Sequence, residues 1–187
     1  INDLMVALAR AGKTVVRLKS GDPTIFGRAG EELARLAEEG VPVEIVPGIS
    51  AASAMAAGLG ASLTHRDHAQ SVRFITGHSQ RGGLPDDVNW AQVADPKTTT
   101  VFYMGGRLAG DIARRLMAQG LPAATPAVAV ASISRPDETV WHGDLAALAG
   151  TGHNLPAGAP ILLAIGGALT SWKAAALEMP RRERRAE

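Results

Sequence analysis

Apolar residues along the chain fall into short runs separated by Gly, Pro and Asp, and the runs alternate between helical and strand-like spacing. At the front, Leu4, Ala7, Leu8 and Ala11 share one helical face, which Asn2 caps and Gly12 ends. Val15-Val16-Arg17-Leu18 reads as a short buried strand, broken by the turn Ser20-Gly21-Asp22-Pro23. A helix is predicted over 26–39, with Leu33, Leu36 and Ala37 inward and Gly40 closing it. A second strand over 43–46 ends at Pro47-Gly48, and Ser50 caps a small-residue helix over 51–57.

Beyond a polar island at Thr64-His65-Arg66-Asp67, strands become more frequent. They are predicted over 71–76, 99–104, 127–132, 138–142 and 161–165, with helices over 90–94 and 108–119. Gly77-His78, Gly105-Gly106, Arg135-Pro136-Asp137 and Gly166-Gly167 supply the turns, and a Gly/Pro/Asp-rich loop fills 79–89. Alternation of β and α segments with unalternating apolar strands points to a parallel sheet covered on both faces and places the chain in the α/β class. The change in pattern puts a domain boundary near 60–70. The expected parts are a first α/β domain over 1–65, a mixed-sheet α/β domain over 66–175 and a basic tail over 176–187.

Composition removes whole classes of function. The 187 residues contain no Cys, which excludes disulfide frameworks, thiolate zinc sites, iron–sulfur ligation and cysteine nucleophiles. With three Trp, three Phe and one Tyr, a stacking platform for single-stranded nucleic acid is not expected. The net charge of +1 comes from the end of the chain, because the segment 180–187 carries four Arg and two Glu. The rest carries 15 basic and 16 acidic residues, so no basic nucleic-acid footprint covers the body. No apolar run is long enough for a transmembrane helix, and no signal-peptide pattern opens the chain. A chain that begins directly on a core-type helix leads us to expect that another segment precedes it.

Several turns could carry chemistry. Ser20-Gly21-Asp22 joins a predicted strand to a helix, where backbone and free N–H groups can meet a ligand, although a plain βα turn has the same sequence. Gly48-Ile49-Ser50-Ala51 is a second such turn, whose small residues admit either a cofactor or a neighbouring helix. Arg66 suits a carboxylate-bearing ligand, or it pairs with Asp67 or another acid as a structural ion pair. His65 and His68 have helical metal-ligand spacing but no third ligand nearby. His78 follows a strand end, where α/β sites collect, and Arg28 with Glu31 forms either a functional pair or a surface one. No nucleophile elbow and no Ser-His-Asp set is legible.

Taken in order and at their spacing, five segments resemble the uroporphyrinogen-III C-methyltransferases of the tetrapyrrole methylase superfamily. They are Val15 through Arg28, Val46 through Ser53, Leu63 through Asp67, Phe74 through His78, and Phe102 through Gly105. The resemblance covers roughly residues 1–166. It implies two α/β domains with S-adenosylmethionine in a cleft between them, a cytoplasmic homodimer, and conversion of uroporphyrinogen III to precorrin-2 with S-adenosylhomocysteine as product. This step leads to sirohaem, cobalamin and haem d1. Cofactor contacts are implied at Ser20, Gly21, Asp22, Ile25, Ser50, Ala51 and Met104, and at the main chain near Ile133. Arg28, Glu31, Arg66 and His78 are the implied substrate-handling residues. The family usually has Gly at position 20, Thr at 50 and Gly at 133, and often a charged residue at 167, where this chain has Ser, Ser, Ile and Gly.

The chemistry agrees with these residue types. A sulfonium methyl is already activated, so in-line placement of a nucleophilic pyrrole carbon is the main requirement. Arginines suit the many substrate carboxylates, and no residue is assigned as the base. The resemblance lacks the glycine-rich first loop and about the first third of the family's fold, so the first domain is expected to be incomplete. These 187 residues alone are therefore expected to bind S-adenosylmethionine weakly and not to turn over. Two alternatives accompany this reading: methylation of a later precorrin intermediate, and a non-catalytic module that retains only binding.

Overall fold

The computed structural model describes residues 1–79, 82–151, 155–156 and 158–171; the basic tail over 176–187 lies outside them. Two compact units divide at Ala51 and Ala52, at the start of the third helix, whereas the sequence placed the boundary after that helix. No helix of the described residues is long and apolar enough to cross a membrane.

The first unit contains helices α1 (Asn2–Arg10) and α2 (Ala29–Glu38) around a small core of Met5, Val6 and Leu36, with Val15 and Val41 against it. The face of α1 that meets this core is not the one expected from Leu4 and Leu8, which stay exposed. Ion pairs flank the buried face of α1. Asp3 pairs with Arg35 and Arg10 with Glu39, and Val6 lies on the same helical stripe between Asp3 and Arg10. Helix α2 begins three residues later than expected. Phe26 and Arg28 adopt left-handed φ of 51° and 57°, and the Gly27 backbone lies directly on the Pro23 carbonyl, so a helix cannot run through 26–28.

The two strands expected over 15–18 and 43–46 are absent from the described residues. An apolar run becomes a strand only where a neighbour satisfies its N–H and C=O groups. Here Val16, Leu18 and Val46 are each more than 70% exposed (82%, 83% and 72%).

The second unit is built on one mixed sheet. Helix α3 (Ala51–Leu59) leads to β1 (Ser71–Thr76), followed by α4 (Trp90–Val93), β2 (Thr98–Tyr103), α5 (Ala109–Ala118), β3 (Pro126–Ala131), β4 (Thr139–Asp144), α6 (Leu145–Thr151) and β5 (Ile161–Ile165). The strand order is β1-β2-β5-β3-β4. Strands β1 and β2 are parallel, while β5 lies antiparallel to both β2 and β3. Its central place explains its unbroken apolar sequence, for all five residues are buried. Phe102, Ala129 and Leu163 face one side, where they pack with Ile112 and Leu116 of α5, Leu145 and Leu148 of α6, and Trp90. Trp90 and Phe102 stack with ring centroids 6.1 Å apart. By strand alternation, the buried Val101, Tyr103, Val128 and Val130 face the other side.

This order aligns the carboxyl ends of β1, β2 and β3 with the starts of β4 and β5 at one edge of the sheet. Ligand sites of α/β proteins gather at such edges.

Candidate functional site

In the first unit the two candidate turns are tied together by Asp22. Its Oδ1 accepts the Thr24 main-chain N–H at 2.8 Å and the Thr24 hydroxyl, while its Oδ2 accepts the Gly48 N–H at 3.1 Å. The Thr24 hydroxyl, and then the N–H groups of Thr24 and Gly48, hold the Asp22 carboxyl below its ordinary value. A side chain at position 48 would drive into the Gly21 carbonyl, so the two turns meet backbone to backbone. Gly21 has φ 78°, and its missing side chain would face the Ile49 carbonyl and the Ala51 N–H. Ser20, Gly21, Asp22, Ser50 and Ala51 are therefore brought together, and the Ile25 N–H donates to the Asp22 carbonyl at 3.3 Å.

Arg28 and Glu31 form a forked pair, with Nε to Oε1 at 3.0 Å, and both side chains are well exposed. Each strengthens the charged form of the other: the Glu31 hydrogen bond raises Arg28, and Arg28 lowers Glu31. A deeper network lies behind them. Glu32 accepts Lys19 Nζ at 2.7 Å and Arg17 Nε at 3.1 Å, and Lys19 and then Arg17 hold the Glu32 carboxyl low. Lys19 directly precedes Ser20, so this contact anchors the start of the turn to α2. The alternation of Arg17 and Lys19 was the available signal for such an anchor. An Asp followed two residues later by Thr likewise signals the turn that Asp22 closes.

In the second unit, His78, Met104 and Ile133 come to the same sheet edge, after β1, β2 and β3 respectively. Met104 is 57% exposed and has φ 59°, an uncommon conformation for a residue with a side chain. Ile133 keeps a negative φ, but Ser132 and Ser134 on either side have φ of 53° and 63°. Left-handed residues of this kind persist where the surroundings fix them, and they collect at functional sites. Gly77 and Gly105 let the ends of β1 and β2 close together: a Cβ on Gly77 would stand 2.6 Å from the Gly105 Cα. The Tyr103 hydroxyl, buried at the end of β2, accepts the Ala52 N–H of α3 at 3.1 Å.

Arg66 is not brought to this edge. It precedes β1 and His78 follows it, so a strand length of about 20 Å separates them. The neighbouring Asp67 carbonyl is held by Lys97 Nζ at 3.0 Å, just before β2 begins. Asp67 lies 3.9 Å from His65 Nδ1, and among the described residues Arg66 forms no ion pair. The pairing of Arg66 with Asp67 is thus not the one adopted. A cavity of about 140 Å³, lined by Asp95, Thr98, Thr100, Thr125 and Ile165, opens at this opposite edge. It is smaller than most small-molecule sites.

Residues 1–149 match the model of the tetrapyrrole (corrin/porphyrin) methylases. A siroheme synthase of Aeromonas hydrophila subsp. hydrophila is 49% identical over 170 residues, which is 91% of this chain and 36% of that protein. The chain thus spans about a third of the length of the curated relatives it matches. Among solved structures, a uroporphyrin-III C-methyl transferase from Thermus thermophilus, complexed with S-adenyl homocysteine, superposes with a TM-score of 0.75 at 36% identity. That superposition covers 90% of this chain and 72% of the other. A cobalt precorrin-4 methyltransferase gives a TM-score of 0.81 at 28% identity, covering 90% of this chain and 70% of that one.

Proposed function

The chain belongs to the tetrapyrrole (corrin/porphyrin) methylase family, and on that premise we propose for the intact protein an S-adenosylmethionine-dependent C-methyltransferase activity on uroporphyrinogen III, giving precorrin-2, with these 187 residues alone not turning over. The observation that carries this reading is the sheet edge along which His78, Met104 and Ile133 lie, with left-handed residues closing β2 and β3.

The residues present fit the cofactor. Around Gly21 and Gly48 the backbones approach closely and the neighbouring side chains are small, while Met104 offers an exposed thioether at the sheet edge. Ser20, Gly21, Asp22, Ile25, Ser50, Ala51, Met104 and Ile133, the positions the family resemblance implies, are the residues proposed to contact it. Asp22 acts by fixing its turns, since both carboxylate oxygens are already engaged. S-adenosylmethionine supplies an activated methyl group. The protein's part is to orient the accepting pyrrole carbon and exclude water.

Arg28 and Glu31, Arg66 and His78 are proposed to handle the carboxylate-bearing substrate. Arg66 does so from the far end of β1, with a guanidinium that no acid engages among the described residues. The protein is further proposed to work as a cytoplasmic homodimer.

A second reading, methylation of a later precorrin intermediate, is favoured by the TM-score of 0.81 with the cobalt precorrin-4 enzyme, against 0.75 for the uroporphyrin-III one. Sequence identity favours the first, 36% against 28%. The test is incorporation of labelled methyl groups by the intact protein, offered uroporphyrinogen III or precorrin intermediates. Doubly methylated product from uroporphyrinogen III supports the proposal. Methylation of later intermediates alone overturns it. Sedimentation analysis decides the dimer.

A further inference from the structure

The segment after β3 runs Ser132-Ile133-Ser134-Arg135-Pro136-Asp137-Glu138 and contains two residues with left-handed φ but no glycine. Each left-handed serine is gripped by one of two consecutive carboxylates. Ser132 Oγ donates to Asp137 Oδ2 at 2.8 Å, and the Ser134 N–H donates to Glu138 Oε2 at 2.6 Å. Main-chain bonds close the remainder: Ser132 N–H to the Pro160 carbonyl at 3.0 Å, Arg135 N–H to the Ser132 carbonyl at 3.0 Å, and Glu138 N–H to the Arg135 carbonyl at 3.1 Å.

A β-branched residue tolerates left-handed φ poorly. Ile133 escapes it because the two reversals fall on its neighbours. We propose that Asp137 and Glu138 are positioning residues, which lock this turn so that the Ile133 main chain is presented to S-adenosylmethionine at the sheet edge that also carries Met104. This inference rests on the cofactor reading above. It assigns to two exposed acids a role in affinity that a simple turn would not require. Without them, each left-handed serine loses one of the contacts that fix its conformation, and the turn would sample other conformations before binding.

The test is calorimetric titration of the intact protein with S-adenosylhomocysteine, alongside melting curves. Asp137→Ala and Glu138→Ala are each expected to weaken binding about tenfold through lost preorganisation, while the melting temperature moves by no more than about 2 °C, as for exposed substitutions. Asp137→Asn and Glu138→Gln keep an acceptor oxygen and are expected to recover most of the affinity. Adding Ser134→Gly to Glu138→Ala should also restore affinity, because glycine adopts φ near 63° unaided. In turnover assays the loss should appear in KM for S-adenosylmethionine and not in KM for the tetrapyrrole. Alanine variants that bind as tightly as a binding-competent wild type overturn the inference and leave the proposed function standing. A wild type that does not bind overturns the cofactor reading and the inference with it.

Discussion

The carboxylate of Asp22 accepts the main-chain N–H of Gly48 at 3.1 Å, joining two turns that lie 26 residues apart in sequence. The bond is stronger to the ionised acid. Because the folded pKa is lowered, its stabilisation is complete above the ordinary aspartate value of 3.8 and is lost as the pH falls through the lower folded value. The Gly48 amide proton resonance should therefore titrate with a midpoint below 3.8, and Asp22→Ala should abolish the titration. A midpoint at or above 3.8 would contradict the arrangement.

Tyr103→Phe removes one oxygen and leaves the Ala52 N–H, at the start of α3, without its buried acceptor. The expected cost is about 1–3 kcal/mol, measured by urea denaturation of the two proteins side by side. An unchanged midpoint would mean that the N–H finds another acceptor.

Phe102 is fully buried between α5 and the sheet and stacks on Trp90. Phe102→Ala should cost about 3–5 kcal/mol, the usual loss for a cavity of that size. The same denaturation experiment reads it.

Met104, proposed above to contact the cofactor, holds a strained backbone conformation at the sheet edge. Met104→Gly relieves its left-handed φ of 59° and should leave the protein as stable as before or up to about 1 kcal/mol more stable. Affinity for S-adenosylhomocysteine should fall at the same time. Equal affinity in the two proteins would remove Met104 from the proposed cofactor contacts.

The parts of the fold most legible in sequence were those whose apolar runs find ladders within the second unit. Strand β1 and strand β5 have their expected limits, and β2 and β3 each begin and end one residue early. The runs at 15–18 and 43–46 read equally well as strands, but periodicity does not report whether a partner is present to complete the hydrogen bonds. Helix α2 was legible in its body and not at its start, because the left-handed φ at Phe26 and Arg28 comes from packing of the turn on Pro23 and carries no compositional mark. The site followed the same division. The grouping of Gly21 with Ser50, and the placing of Met104 and Ile133 at strand ends, could be anticipated from turn chemistry and resemblance. The distance between Arg66 and His78, and the grip of Asp137 and Glu138 on two serines, depend on three-dimensional register that no local pattern encodes.

Among the described residues, the strand latest in the chain, β5, is the one at the centre of the sheet. Until β5 is synthesised, β1-β2 and β3-β4 are two separate ribbons, since β2 and β3 are joined only through it. Closing that gap pairs Tyr103 with Leu162 across a long stretch of chain, a non-local step of the kind that slows folding. A nascent chain halted before residue 161 would leave the facing edges of β2 and β3 unpaired, the kind of open strand edge that favours aggregation.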